Sequence, residues 1–214
     1  MVLPWEGSFF FGVQMTTTLE VLNHMLNVIG ESPVTDASSD HPSVLSAKVE
    51  LNRVLKELQV RGWWFNTEYN LKLSPNESGQ IIVPTGTLYI DPVDASSKLV
   101  RRGTKLYDPQ NHTFVISTAV YVNLLLQLTI EDLPESAAMY VMHKSAYDFY
   151  VNDDGDEQKS NRLDKEVTRS WAVLQKEELK VTNLNAKNRP HVAQLTYRMK
   201  QHGGNYNPIY PGGG

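Results

Sequence analysis

Between Asp94 and Asp108 the chain carries Lys98, Arg101, Arg102 and Lys105 with no carboxylate among them. Four cations on a short segment are candidates to face phosphates, through contacts that are non-specific and weakened by salt. They equally fit a partner's acids, because no aromatic stacking pattern accompanies them. A second candidate chemistry is hydrolysis of a glycosidic bond, which needs two carboxylates about 5 to 9 Å apart, one with a raised pKa. Asp91 and Asp94 in Ile90-Asp91-Pro92-Val93-Asp94 stand close together, and Trp63-Trp64 offers rings for sugar stacking. With 24 carboxylates in the chain, one such pair carries little weight. Core packing is the stronger reading of the tryptophans.

Metal and nucleotide chemistry find less support. The histidines His24, His41, His112, His143, His191 and His202 are widely separated and show no ligand spacing. A calcium loop beginning at Asn152 requires glycine at its sixth place and glutamate at its twelfth, but Glu157 and Leu163 stand there. Neither a phosphate loop nor a Gly-x-Gly-x-x-Gly fingerprint occurs. Cysteine is absent, which excludes disulfides and thiolate sites. The expectation is therefore no metal and no cofactor.

The elements that must position these residues fall into three blocks. In the first, Thr17 and Glu20 have the spacing of a capping box, and Leu19, Leu22, Met25, Leu26 and Ile29 follow on one helical stripe ended by Gly30 and Pro33. A second helix starts near Pro42, with Val44, Ala47, Leu51, Val54, Leu55 and Leu58 at helical period and Gly62 as its stop. The second block predicts short strands over 63–73, 81–90, 99–101, 104–107, 113–117 and 120–128. In the first of them Trp63, Phe65, Tyr69, Leu71 and Leu73 share a face. Arg102-Gly103 is the tip of a predicted hairpin, and Asp108 to Asn111 a turn. The third block predicts a helix from Pro134 to about Val151. A long one follows from Glu157 to Asn185, striped by Leu163, Val167, Trp171, Leu174 and Val181.

The expected fold class is α+β: a helical bundle built from the N- and C-terminal helices, with a small antiparallel β domain inserted. The domain boundaries follow. Residues 1–16 form a flexible N-terminal extension, 17–62 and 131–188 the bundle, 63–130 the β domain, and 189–214 an extended glycine-rich tail.

Composition sets limits. The net charge of −4 and a pI near 5.9 argue against wholesale coating of nucleic acid. No apolar run approaches the roughly 20 residues a bilayer span needs. From Glu131 to Glu166 there are ten carboxylates against four Lys or Arg, whereas Lys180 to Gly214 holds five Lys or Arg and no carboxylate. An acidic face on one copy can thus meet a basic tail from its neighbour.

Several segments, taken together, resemble the tail tubular protein A family of T7-like podoviruses. They are Ile29-Gly30-Glu31-Ser32-Pro33-Val34, Leu51-Asn52-Arg53, Gln59-Val60-Arg61-Gly62-Trp63-Trp64-Phe65-Asn66, Glu131-Asp132-Leu133-Pro134-Glu135 and Gly203-Gly204-Asn205-Tyr206-Asn207. The resemblance runs from about Leu19 to Asn207, and Arg61-Gly62-Trp63 with Phe65-Asn66 is its most specific part. It implies a virion tail protein, assembled in the host cytoplasm, that forms a dodecameric adaptor ring between the portal protein and the nozzle, tail tubular protein B. No membrane is involved. Double-stranded DNA would pass through the lumen during ejection, with Arg53, Arg101, Arg102 and Lys105 as candidates to line it. Arg198, Lys200, Tyr206 and Asn207 are candidates for subunit or portal contact, and Arg61, Gly62, Trp63 and Phe65 for a structural domain junction. The alternative adds a glycan-hydrolysing activity to the same tail protein.

Overall fold

The computed structural model describes residues 15–94, 96–153 and 155–188, the last six (183–188) as backbone. Two helices come first, α1 (Thr18–Val28) and α2 (Pro42–Gln59). The strands follow as β1 (Thr67–Leu73), β2 (Thr87–Pro92), β3 (Val100–Arg102), β4 (Lys105–Tyr107) and β5 (Val120–Leu126). A 3-10 turn at Ile130–Asp132 then leads into α3 (Glu135–Asp153) and α4 (Glu157–Asn188). The fold is α+β, with helices from both ends of the described chain sharing one core. The chain divides into two units, one ending at Leu174 and one beginning at Gln175, so the division falls inside α4 and inside the segment 131–188. Beyond Leu174 the second unit continues α4, with Leu179 exposed.

Helix α1 starts where Thr17 and Glu20 satisfy each other's backbone donors; the Glu20 N–H donates to the Thr17 hydroxyl, and the Thr17 N–H to Glu20 Oε2 at 2.8 Å. Acidic residues just before and at the start of α3 complete this start. The Thr18 N–H donates to Glu131 Oε1 at 2.7 Å, and Thr16 donates its N–H and hydroxyl to the Glu135 carboxylate at 3.1 and 2.7 Å. Negative charge at a helix N-terminus is favoured by the helix dipole, and here it also joins the first helix to the third. Thr16, assigned from sequence to the flexible extension, is accordingly buried.

One core gathers Val21, Leu22, Met25 and Leu26 of α1, the six predicted positions of α2, Ala137, Ala138 and Val141 of α3, and Leu163 and Leu174 of α4. Each large side chain so buried contributes about 1.5–3 kcal/mol. Leu73, Ile81, Val83, Leu106, Ile116, Val122 and Leu124 form the core of the strand region. There β5 lies between β1 and β2 in an antiparallel sheet, and β3 with β4 makes a separate hairpin.

Three predicted strands differ from what forms. The segment 63–73 pairs only from Thr67, because Gly62, with φ +75°, ends α2 in a left-handed cap and Trp63 to Asn66 turn back beneath it. The shared face also fails. Asn70 has φ +56° and the register slips between Glu68 and Leu71, so Tyr69 and Leu71 are exposed while Trp63 and Leu73 are buried. The segment 81–90 is broken at Pro84-Thr85-Gly86, leaving single bridges at Gln80 and Ile82 and a strand only from Thr87. The segment 113–117 makes isolated bridges at Thr113 and Val115. The hairpin and the turn after it form as expected, with Gly103 at φ +61°.

Candidate functional site

The basic hairpin is held from within. The Arg101 guanidinium donates through Nε to the Gly103 carbonyl at 2.9 Å and through Nη1 to the Thr87 carbonyl, which fixes β3 against the end of β2. Arg102 lies over the Tyr107 ring, 3.7 Å from its centroid, a cation–π contact. Lys98, Arg101 and Arg102 are exposed and Lys105 is half-buried. The structure therefore gathers the four cations of this segment on and beside one hairpin.

Arg53 stands elsewhere. On α2 it pairs with Glu50 at 2.5 Å and Glu57 at 2.8 Å, and it bridges to Asp148 of α3, which Lys144 also contacts at 2.5 Å. Hydrogen bonds that the guanidinium donates to the Glu50 carboxylate hold it firmly charged, above its ordinary range. Two cations against three carboxylates leave this cluster without spare positive charge. Arg53 braces α2 to α3, and a phosphate approaching it meets Glu50, Glu57 and Asp148 as well.

An open groove of about 470 Å³ lies beside the sheet, lined in part by Asn70, Asp94, Lys98, Asp108 and Tyr121. Its two carboxylates are both held below the ordinary range. Asp94 is stabilised as an anion by the Ser96 hydroxyl and then its N–H, and Asp108 by the Asn111 side-chain amide and backbone. Glycoside hydrolysis needs the opposite displacement on one partner, a displacement that neither Asp94 nor Asp108 shows. Trp63 is no sugar platform. It is buried, stacks on Phe65 at 6.0 Å, meets Trp171 edge-on at 5.6 Å and donates its indole N–H to the Leu58 carbonyl at 2.7 Å.

The junction residues do converge. Arg61 lies 5.0 Å over the Trp171 ring, and a Cβ on Gly62 would sit 3.1 Å from Leu125 Cδ2. Two buried amides, Gln59 and Asn66, to which the sequence assigned no structural role, complete the region. Asn66 donates to the Gln59 and Leu126 carbonyls and accepts from the Trp63 N–H, all between 2.8 and 2.9 Å. Gln59 accepts from the Leu128 N–H at 2.7 Å and donates to its carbonyl at 3.0 Å. These amides couple the end of α2 to β5. Nothing in the local sequence signals the link to β5, because the Leu126 and Leu128 partners lie 60 and 69 residues away.

Two histidines also come together, against the sequence expectation. The rings of His24 on α1 and His143 on α3 are 5.7 Å apart, and Glu166 of α4 reaches His143 Nδ1 at 3.3 Å. The interface candidates Arg198, Lys200, Tyr206 and Asn207 lie outside the described residues, as do Asp154 of the acidic loop, 1–14 of the N-terminal extension and the whole tail 189–214.

The model of the family described as "Tail tubular protein" matches residues 19–184, from the first turn of α1 into the last turns of α4. The chain belongs to the tail tubular protein family. It is also similar to "Tail tubular protein A" of Klebsiella phage KP34, with 31% identity over 162 residues that cover 76% of this chain and 87% of that protein. A structural role in a phage tail, alongside other tail proteins, follows from the family. Among the described residues, no helix is long and apolar enough to cross a membrane. Among the described residues of this tail tubular protein, the junction at Arg61 to Asn66 is packed and hydrogen-bonded, and the basic hairpin carries exposed cations.

Proposed function

We propose that this tail tubular protein is the adaptor of its virion. Twelve copies form a ring between portal and nozzle, and double-stranded DNA passes through the ring during ejection. The observation that carries this reading is the continuous family match over 19–184, which takes in the helices and the strands together. The helical segments 17–62 and 131–188 serve as the scaffold of each subunit and 63–130 as the domain presented from it, with assembly in the host cytoplasm before the virion is complete.

The surface supports such a part. A closed ring needs two different, complementary faces on each copy. The strand region leaves Tyr89, Val93, Val100 and Tyr121 exposed, the aromatic and aliphatic surface that subunit contacts favour. The acidic stretch 131–166 and the basic tail with Arg198, Lys200, Tyr206 and Asn207 supply a second, electrostatic pairing between neighbours or toward portal. A DNA passage must not grip its cargo. A net charge of −4 suits brief, sequence-independent contact. Arg101, Arg102 and Lys105 are the candidates for it, and Arg53, neutralised by its own carboxylates, serves the scaffold instead.

Light scattering on the purified chain, alone and after mixing with portal protein, tests the reading. A mixture that elutes as one complex with a ring's worth of copies per portal is expected. A chain that stays monomeric at every ratio and never co-elutes with portal removes it.

A further inference from the structure

We propose that His24, His143 and Glu166 form a binding site for one divalent transition-metal ion of the zinc class, clipping α1, α3 and α4 together. Each residue brings one ligand atom, and these atoms lie within 4.8 Å of one another. His24 Nε2 and His143 Nδ1 are buried yet have no hydrogen-bond partner among the described groups. His143 Nδ1 stands 3.3 Å from Glu166 Oε2, but without the alignment of a hydrogen bond. Buried polar atoms are ordinarily satisfied, so two orphaned imidazole nitrogens facing the same carboxylate call for a common partner.

The spacing suits an ion. Ligands about 2.0–2.2 Å from a tetrahedral zinc are about 3.3–3.5 Å from each other, the separation already present between His143 and Glu166. The His24 ligand atom stands within 4.8 Å of the other two. Two imidazoles with one carboxylate form a nitrogen-rich set that favours zinc, cobalt or nickel over calcium and magnesium, which take oxygen ligands. Glu166 is exposed, so the ion has a way in from solvent. Three protein ligands leave a fourth position for water.

The test uses the full chain stripped of metal with a chelator and titrated with Zn²⁺ by calorimetry and with Co²⁺ by visible absorption. One equivalent is expected to bind, with the ligand-field bands of a tetrahedral cobalt site. His24→Gln, His143→Gln and Glu166→Gln should each weaken binding at least about tenfold. Glu166→Gln alters only an exposed side chain, so it reports on the site even if a histidine variant unfolds. Replacing His41 and His112, or His191 and His202, should leave binding unchanged, and excess Ca²⁺ should not compete. Absence of a one-equivalent phase, or binding that follows His191 and His202 while Glu166→Gln has no effect, overturns the site.

Discussion

Asn66 spends its whole side chain on three backbone groups, and all of them are lost together when it is truncated. Each buried donor or acceptor left unpaired costs about 1–3 kcal/mol. Asn66→Ala should therefore lower the unfolding free energy by about 3 kcal/mol, read as a shift of the urea midpoint at unchanged slope. A loss below about 1 kcal/mol would mean that water replaces the amide and the clamp is unimportant. Arg53 and Arg102 make a sharper contrast because both are arginines at partly open positions. In the assembled ring, Arg102→Ala should weaken double-stranded DNA contact and reduce the salt dependence of binding by about one ion per site engaged. Arg53→Ala should leave DNA binding as it was and cost only about 1 kcal/mol of stability, the scale of an exposed ion-pair network. The reverse ranking would exclude the hairpin as the DNA contact. Arg53 with Glu50 and Glu57 has helix-neighbour spacing visible in the sequence. Asp148 was not foreseeable, since it arrives from another helix, and the same holds for His24, His143 and Glu166.

At the scale of elements, the helices were legible and several strands were not. Helix α2 shows why: its apolar positions keep one period over five turns, a proline opens it and a glycine closes it, so local signals agree. The stretch 63–73 has an alternation that belongs to two different structures, an aromatic turn under the helix cap and then a strand with a bulge. Period-two counting cannot see the break at Gly62 or the slip at Asn70, because both depend on backbone conformation. Turns were easier, as their polar side chains act locally. Asp108 accepts from the Gln110 and Asn111 N–H groups at 2.9 and 3.1 Å and from the Asn111 amide at 2.8 Å. The Asn111 side chain, then its backbone, hold the Asp108 carboxyl below its ordinary 3.8. A carboxyl depressed in the folded state adds stability above its unfolded pKa and loses it as pH falls through the folded value. The hairpin and its turn should hold at neutral pH and weaken below about pH 4, and Asp108→Asn should flatten that acid dependence. Urea titrations at stepped pH decide it; identical acid profiles for both proteins would remove Asp108 from the account.

At the scale of the molecule, the first unit, which ends at Leu174, joins its early and late helices in one support. Thr16 and Thr18 are bonded to Glu135 and Glu131, and α1, α2, α3 and the first part of α4 share a core. Such a support suits a part that must keep its shape while neighbours cover its surfaces. The family match spans both helical ends and the strands between them, which is what a role of the whole subunit requires, as opposed to a role of one grafted loop. Electron microscopy of the purified chain bound to portal protein is the most direct test. Closed twelvefold rings seated on portal, with the β3–β4 hairpins turned toward the lumen, are the predicted image. Single subunits scattered around portal, or rings whose hairpins point outward, would contradict it.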